Sequence, residues 1–309
     1  MVKNYVSPFF LLFSGLAICT LPLCAYGQDI AVLRVSDFDL KGPVRSCTVI
    51  TDYGREEFLF NEDGTLAQST TRYNETDYEV TTYKYKNGYI IEKRSENYRE
   101  GEFDKNTSMA SLYTLDTTDQ KKITEKIISY NKELLYQYEY YYAADGQLSR
   151  IKRITNDGID NTVLEYETYK GEQTISHFLN GDLIKSVRTS KTKEGSEEET
   201  TTVLTKEFID GSPHSALEQT FNAQNDLALE KSFEYDETTK KFVVSKLKRF
   251  LYNKEGVLLE LHTKTGPMEI VKKYLHQFDN GKEGNWVKQI VTPDNTYTTR
   301  RIEYFSKAE

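Results

Sequence analysis

The chain contains very few cysteine, tryptophan and methionine residues. Its 309 residues include only 3 cysteines, 1 tryptophan and 3 methionines. Two of the cysteines, Cys19 and Cys24, lie in an apolar N-terminal stretch. If that stretch is removed, Cys47 is the single remaining thiol, and no internal disulfide can form. A lone cysteine of this kind is usually a small buried core residue, so the sequence excludes a disulfide-stabilised scaffold.

The sequence also lacks the local motifs of common enzyme classes. It has no Gly-x-Ser-x-Gly elbow, no Walker loop and no Gly-x-Gly-x-x-Gly before a helix. Its four histidines, His177, His214, His262 and His276, are not spaced as zinc ligands. His262 and His276 could meet across adjacent strands, but two ligands are too few for zinc. We therefore predict no catalytic residue, no cofactor and no metal site.

A glycoside hydrolase with a carboxylate pair stays open as an alternative. Such an enzyme needs two acids close in space, and no local pattern marks them. The candidates are Glu56 with Glu57, Glu165 with Glu167, and the run 197–199. Because the chain has 48 acidic residues, none of these pairs stands out, and we predict a protein that is not an enzyme.

Long apolar runs are absent after residue 23, and the single such run predicts export. It extends from Val6 to Leu23, follows Lys3, and precedes the small-residue boundary at 25–27. This pattern predicts a secretory signal peptide over residues 1–27, with a mature chain of residues 28–309 in the periplasm, on the outer surface or outside the cell. Two alternatives stay open, a retained anchor helix and a lipoprotein acylated at Cys24, for which Leu23 is an unsuitable neighbour.

The charge excludes some partners. The chain has 40 basic and 48 acidic residues, and residues 1–27 contain one lysine and no acid, so the mature charge is 39 − 48 = −9. Charges of both signs are interspersed along the chain. Nucleic acids and anionic lipids are bound by basic patches, which this sequence does not have. We predict a protein or a glycan of the cell envelope as partner, and no membrane contact beyond the leader.

Aromatic residues are abundant, with 23 tyrosines and 15 phenylalanines, and many of them belong to a repeat. The repeat reads aromatic, two or more polar residues, Gly, any residue, then Leu or Ile, which is typical of a β-hairpin turn. Its turn residues are Gly64, Gly88, Gly146, Gly181, Asn225, Gly256 and Gly284.

The repeat predicts an all-β fold after the N-terminal signal helix. We expect an antiparallel meander of stacked hairpins, forming an open ribbon or a solenoid-like sheet. An ordinary globular antiparallel domain with similar turns is the alternative. The polar stretch 191–202 marks a hairpin tip or a weak domain boundary.

The repeat units resemble a known family. The pairs Tyr235-Asp236 and Phe278-Asp279, together with the repeated Gly-x-Leu, are similar to the YD repeats of Rhs-type proteins and to related repeats of secreted bacterial proteins. The resemblance implies an extracytoplasmic β-ribbon or solenoid with a binding or encapsulating role.

Some of the repeated aromatic residues are candidates for a binding face. Rings on a sheet usually form its core, but an exposed row can bind sugars or proteins. The candidates are Tyr138, Tyr140, Tyr142, Tyr83, Tyr85 and Trp286. We therefore expect an exported, non-catalytic binding or scaffold protein. A structural component that associates with itself through unpaired strand edges is the alternative.

Overall fold

A computed structural model describes residues 32–281 and 283–306. The predicted signal peptide, residues 1–27, and Cys24 lie outside the described residues. Within the described ranges, no helix is both long and apolar enough to cross a bilayer. A short 3-10 helix, Val35–Phe38, precedes twenty antiparallel strands.

The strands are β1 (Val44–Thr51), β2 (Gly54–Phe60), β3 (Leu66–Arg72), β4 (Tyr78–Lys86), β5 (Tyr89–Arg99), β6 (Glu102–Asp116), β7 (Lys122–Ser129), β8 (Leu134–Tyr142), β9 (Leu148–Thr155), β10 (Gly158–Tyr169), β11 (Glu172–Leu179), β12 (Asp182–Thr192), β13 (Thr200–Ile209), β14 (Ser212–Phe221), β15 (Leu227–Asp236), β16 (Lys241–Tyr252), β17 (Leu258–Thr265), β18 (Met268–Phe278), β19 (Trp286–Thr292) and β20 (Thr296–Tyr304).

The sheet closes into a barrel. Each strand pairs with its neighbours in sequence, and β1 also pairs with β20, from Val44 opposite Tyr304 to Ile50 opposite Thr299. The expected open ribbon or solenoid is therefore wrong, and so is the resemblance to YD-repeat and Rhs-type proteins. Closure depends on pairing between the two ends of the sheet, which no local turn signal reports. Each described strand has two hydrogen-bonded neighbours, so the sheet has no unpaired edge strand through which the chain could associate with itself.

The seven predicted turn residues all lie in connections between strands, and all have positive φ. In six of the seven repeats the aromatic residue pairs across the turn with the aliphatic residue, as Phe60 does with Leu66 and Tyr142 with Leu148, whereas in the last repeat Phe278 pairs with Trp286. A register shift accompanies the Phe60 and Tyr142 pairs, because the longer turn leaves one strand with an extra residue. The repeat therefore encodes a hairpin with a bulge at one end.

The connections alternate between the two ends of the barrel. One end, which we call the terminal rim, holds both described chain ends and the connections 61–65, 87–88, 117–121, 143–147, 170–171, 193–199, 222–226, 253–257 and 279–285. The other end, the far rim, holds the connections 52–53, 73–77, 100–101, 130–133, 156–157, 180–181, 210–211, 237–240, 266–267 and 293–295. Six of the predicted turn residues lie at the terminal rim, and Gly181 lies at the far rim. The stretch 191–202 forms the tip of the β12–β13 hairpin.

The two faces of the sheet differ in composition. Residues directly opposite each other on paired strands share a face, so the registers assign every strand position to one of two faces. The face that contains Cys47 and Phe58 also contains the hydrophobic clusters, and we call it the core face. One cluster joins β1, β2 and β3 to the N-terminal segment, and another is built from β7 to β11 around Leu148 and Ile175.

The core face is the inner face of the barrel. Side chains on a concave wall converge, whereas those on a convex wall diverge. The buried strand residues on the opposite face, which we call the charged face, are small, namely Ala110, Ala216 and Thr70. Large side chains such as Tyr142 and Phe221 are buried on the core face. A circular barrel of twenty strands measures roughly 40 Å across, so wall side chains alone cannot fill it.

An N-terminal strap, residues 33–41, crosses the core face at the terminal rim. The Val35 N–H donates to the Gly64 carbonyl in the β2–β3 connection, and the Leu33 carbonyl accepts from the Leu66 N–H at the start of β3. Phe38 packs against Phe58 at a ring distance of 4.6 Å. At the other end of the strap, the Arg300 guanidinium donates to the carbonyl oxygens of Asp39 and Phe38 at 3.1 and 3.2 Å. The strap thus connects β2 and β3 to β20 over the start of β1.

Cys47 provides a test of this packing. The thiol is 1% exposed, and burial raises its pKa to about 11 despite the opposing charge of Arg300. We expect native protein to react with a thiol reagent at pH 8 at least about 100-fold more slowly than guanidinium-unfolded protein, because far less thiolate is present. The pKa of the Cys47 thiol is higher in the folded protein than in the unfolded one. The stabilisation that comes from burying the protonated thiol is therefore complete below pH 9 and is lost as the pH rises through 11. Equal labelling rates for native and unfolded protein would contradict the assignment.

Candidate functional site

The charged face is covered by ion pairs, both within strands and between neighbouring strands. Glu57 of β2 contacts Arg55 at 2.8 Å and Arg72 of β3 at 3.3 Å. On the next strands, Glu92 contacts Lys84 at 3.0 Å and Arg94 at 2.8 Å. Exposed pairs of this kind contribute little to stability, but they make this wall strongly polar.

The predicted ring residues all lie on the core face, and the structure shows what each contacts. Tyr83 packs on the first cluster, and Tyr142 is 2% exposed. The Tyr85 hydroxyl donates to the Leu66 carbonyl at 2.7 Å, and burial raises its pKa to about 12, which keeps it protonated as a donor. These contacts join neighbouring hairpins on the core face.

The remaining three candidates make similar contacts. The Tyr140 hydroxyl donates to Glu125 at 2.9 Å, and the Tyr138 and Tyr140 rings lie 6.2 Å apart. The Trp286 indole donates to the Asp39 carboxylate at 2.8 Å, and this hydrogen bond holds the strap against β19. A ligand-binding role for these six rings stays a prediction.

The candidate acids of the hydrolase alternative are not arranged as a pair in a groove. Glu56 and Glu57 are consecutive strand residues, so they point to opposite faces of the wall. Glu165 and Glu167 lie together on the outer, charged face. The run 197–199 lies in a hairpin tip, where Glu198 and Glu199 contact lysines.

The histidines do not form a metal site either. His262 lies on the charged face between Glu260 and Glu269, at 2.9 and 3.4 Å. His276 lies on the opposite face and contacts Gln289, so the two histidines do not meet. Among the described residues, no group of three or more His, Cys, Asp or Glu side chains could hold a metal ion.

A different set of rings forms a continuous row on the charged face. The row, which we call the aromatic ladder, consists of Arg72, Tyr78, Tyr98, Phe103 and Tyr130. It begins where the Arg72 guanidinium lies 4.5 Å from the centre of the Tyr78 ring. Tyr78 stacks on Tyr98 at 4.4 Å with an interplanar angle of 11°. Phe103 makes edge contacts with Tyr98 at 5.6 Å and Tyr130 at 4.8 Å, with interplanar angles of 63° and 61°.

The strand registers build the ladder. Arg72 is opposite Tyr78, Tyr78 is opposite Tyr98, and Tyr98 is opposite Phe103, so one row crosses β3 to β6 beside the far rim. Tyr130 extends the row from the connection 130–133 and is 49% exposed. The middle rings are half-buried by each other, which holds their positions before any ligand arrives.

The ladder presents ring edges rather than open ring faces. One face of Tyr78 is covered by Arg72 and the other by Tyr98. Tyr98 is covered by Tyr78 on one side and meets Phe103 on the other. A sugar ring needs an open aromatic face to stack on, and the central rings do not offer one. Rigid Tyr, Phe and Arg side chains are the residues that dominate protein interfaces.

Part of the ladder was accessible to sequence reasoning. Tyr98 and Phe103 flank the Glu100-Gly101 turn, and a hairpin centred there pairs them directly. Glu100-Gly101 was missed because it lacks the aromatic and leucine residues of the repeat. Tyr130 carries no local signal, since it reaches Phe103 across β6 and β7.

Comparisons with known proteins give little more. No family model matches the chain, and no curated protein matches it. Among solved structures, the chain is similar to a porin-like protein from Bacteroides uniformis ATCC 8492, with 9% identity and a TM-score of 0.32. The similarity covers 85% of this chain and 99% of that chain. We draw no functional conclusion from a similarity at this level.

Proposed function

We propose that this protein is an exported, non-catalytic β-barrel that works in water and binds a protein partner of the cell envelope through the aromatic ladder. The ladder is the observation that carries the proposal. It is a preorganised row of interface-type side chains on an otherwise ion-paired outer wall. The sequence supports export through its signal peptide.

The distribution of charge favours an aqueous barrel over a membrane-embedded one. A transmembrane barrel needs an outward apolar band about 25 Å tall. The seven-residue strand β2 rises less than that, yet it carries Arg55 and Glu57 on one face and Glu56 on the other. Lys246 and Lys248 of β16 likewise place charged side chains on the core face. Neither face therefore offers lipid a continuous apolar surface.

A protein partner is favoured over a glycan for two reasons. The central ring faces of the ladder are already covered, which removes the stacking surface that a sugar would use. The row crosses four strands, a span of roughly 15 to 20 Å, which matches the anchor region at the centre of a protein interface.

Site-specific photocrosslinking tests this proposal. We replace Tyr130 with p-benzoyl-phenylalanine, which keeps an aromatic group in the row, and irradiate cells of the native host. A discrete protein adduct is expected at this position. The matched control places the same crosslinker at Tyr297, which has the same exposure, 50% against 49%, but lies on β20.

A second variant connects the adduct to the whole ladder. Tyr98→Ala in the Tyr130 crosslinker background is expected to reduce the adduct about tenfold, since a central anchor is lost. Circular dichroism establishes that this variant is folded. Equal adducts at positions 130 and 297, no adduct at either, or an adduct that a glycosidase removes would overturn the proposal of a protein partner.

A further inference from the structure

The far rim beside the ladder is strongly acidic. Its ten connections contain nine acidic residues and two lysines, all within the described part of the chain. The acids are Asp52, Glu75, Asp77, Glu100, Glu133, Asp157, Asp210, Glu237 and Asp294, and the lysines are Lys132 and Lys240. The rim therefore carries a negative potential that extends about a Debye length into solution, roughly 8 Å at physiological ionic strength.

Several of these acids border the ladder directly. Glu75 and Asp77 lie in the connection that follows Arg72, and Glu100 lies in the turn that joins Tyr98 to Phe103. Glu133 follows Tyr130 in the same connection. Asp77 accepts a hydrogen bond from the Glu100 backbone at 2.7 Å, so it has a structural role as well.

The other three acids have no such role in their turns. Glu75, Glu100 and Glu133 are all exposed. Lys132 is the basic residue of the far rim that lies beside this part of the ladder. Negative charge thus lies along one edge of the aromatic row, which is the arrangement that attracts a partner with lysine or arginine next to apolar side chains.

We infer that the partner segment recognised at the ladder is basic and apolar, with Lys or Arg side chains directed to the far rim and aliphatic or aromatic side chains packed on the rings. This inference rests on the proposed function and deepens it. The rim charges accelerate encounter and orient the segment, and the exposed Tyr130 ring adds a surface for cation–π contact. An anionic lipid surface is repelled by the same rim.

A binding assay with a defined probe tests the inference. The probe is a fluorescein-labelled peptide of about eight alternating lysine and leucine residues, which spans roughly 26 Å when extended and so covers the ladder. The control probe replaces every lysine with glutamate. We expect residues 28–309 to bind the lysine probe, measured by fluorescence anisotropy, and to bind the glutamate probe at least about tenfold more weakly.

Two charge-matched variants locate the site. The triple variant Glu75→Gln, Glu100→Gln, Glu133→Gln is expected to weaken lysine-probe binding about tenfold. The control variant Asp157→Asn, Asp182→Asn, Asp210→Asn removes three exposed acids at or beside the far rim away from the ladder and is expected to change binding less than about twofold. Tyr130→Ala is expected to weaken binding without affecting the fold, because that side chain lies in an exposed connection.

The outcomes separate the two proposals. Equal losses for both triple variants indicate non-specific attraction and overturn the inference, as does equal binding of the glutamate probe. If the lysine probe fails while the Tyr130 crosslink succeeds, the partner is a protein that is not basic, and the proposed function stands. If both fail, the proposed function fails as well.

Discussion

We expect Arg300→Ala to lower the free energy of unfolding by about 3 kcal/mol, because this side chain makes buried hydrogen bonds and ring contacts. The Arg300 side chain is 7% exposed and lies 3.5 Å from the centre of the Trp286 ring. Its guanidinium supplies the hydrogen bonds to the carbonyls of Phe38 and Asp39. The truncation removes these donors and leaves a cavity beneath Trp286, so one end of the strap is released. Chemical denaturation followed by tryptophan fluorescence measures the loss.

The adjacent residue is the matched control. Arg301 lies on the charged face and is exposed, so Arg301→Ala is expected to change the unfolding free energy by less than about 0.5 kcal/mol. Arg300→Lys keeps the charge but not the forked geometry, and we expect an intermediate loss. Limited trypsin digestion is expected to cut at Arg34 or Lys41 faster in Arg300→Ala. Equal denaturation midpoints for the two alanine variants would show that the strap is not held by Arg300.

The protein is expected to stay in aqueous buffer without detergent and to produce no conductance steps in planar bilayers. Placing an Arg or Lys side chain at the bilayer midplane of a barrel costs about 2 to 4 kcal/mol. Arg94 and Lys152 lie mid-strand on the outer face, so insertion would cost on the order of 5 kcal/mol for these two alone. Vesicle flotation, detergent-phase partitioning and bilayer recording measure the result.

The controls for this experiment are an authentic outer-membrane porin and a variant of this chain. The variant Arg150→Leu, Lys152→Leu, Glu165→Leu, Glu167→Leu creates an apolar strip on the outer face of β9 and β10. We expect this variant to associate with vesicles, whereas the natural sequence does not. Stable conductance by the natural sequence would show that the wall contains a lipid-facing band and would contradict the aqueous barrel.

Local chemistry explains why some features were predictable. An Asn-Gly or Asp-Gly pair favours positive φ wherever it occurs, so turn positions such as Gly64 and Gly256 follow from a few adjacent residues. The alternation of polar and apolar residues likewise indicates strands. Other connections, such as the turn at 52–53, lack the repeat, so those hairpins left no repeated signal in the sequence.

The sequence by itself determined where seven of the chain's turns lie, that its segments are extended strands, and that no catalytic motif is present. The tertiary structure decided that the strands close into a barrel, that Tyr83 and Tyr140 face inward while Tyr78 and Tyr98 form a ladder outside, and that acids far apart in sequence share one rim. The physical reason is the range of the interactions. Turn conformation depends on neighbouring residues, whereas closure, facing and the grouping of charges depend on strand registers between residues that are distant in the chain.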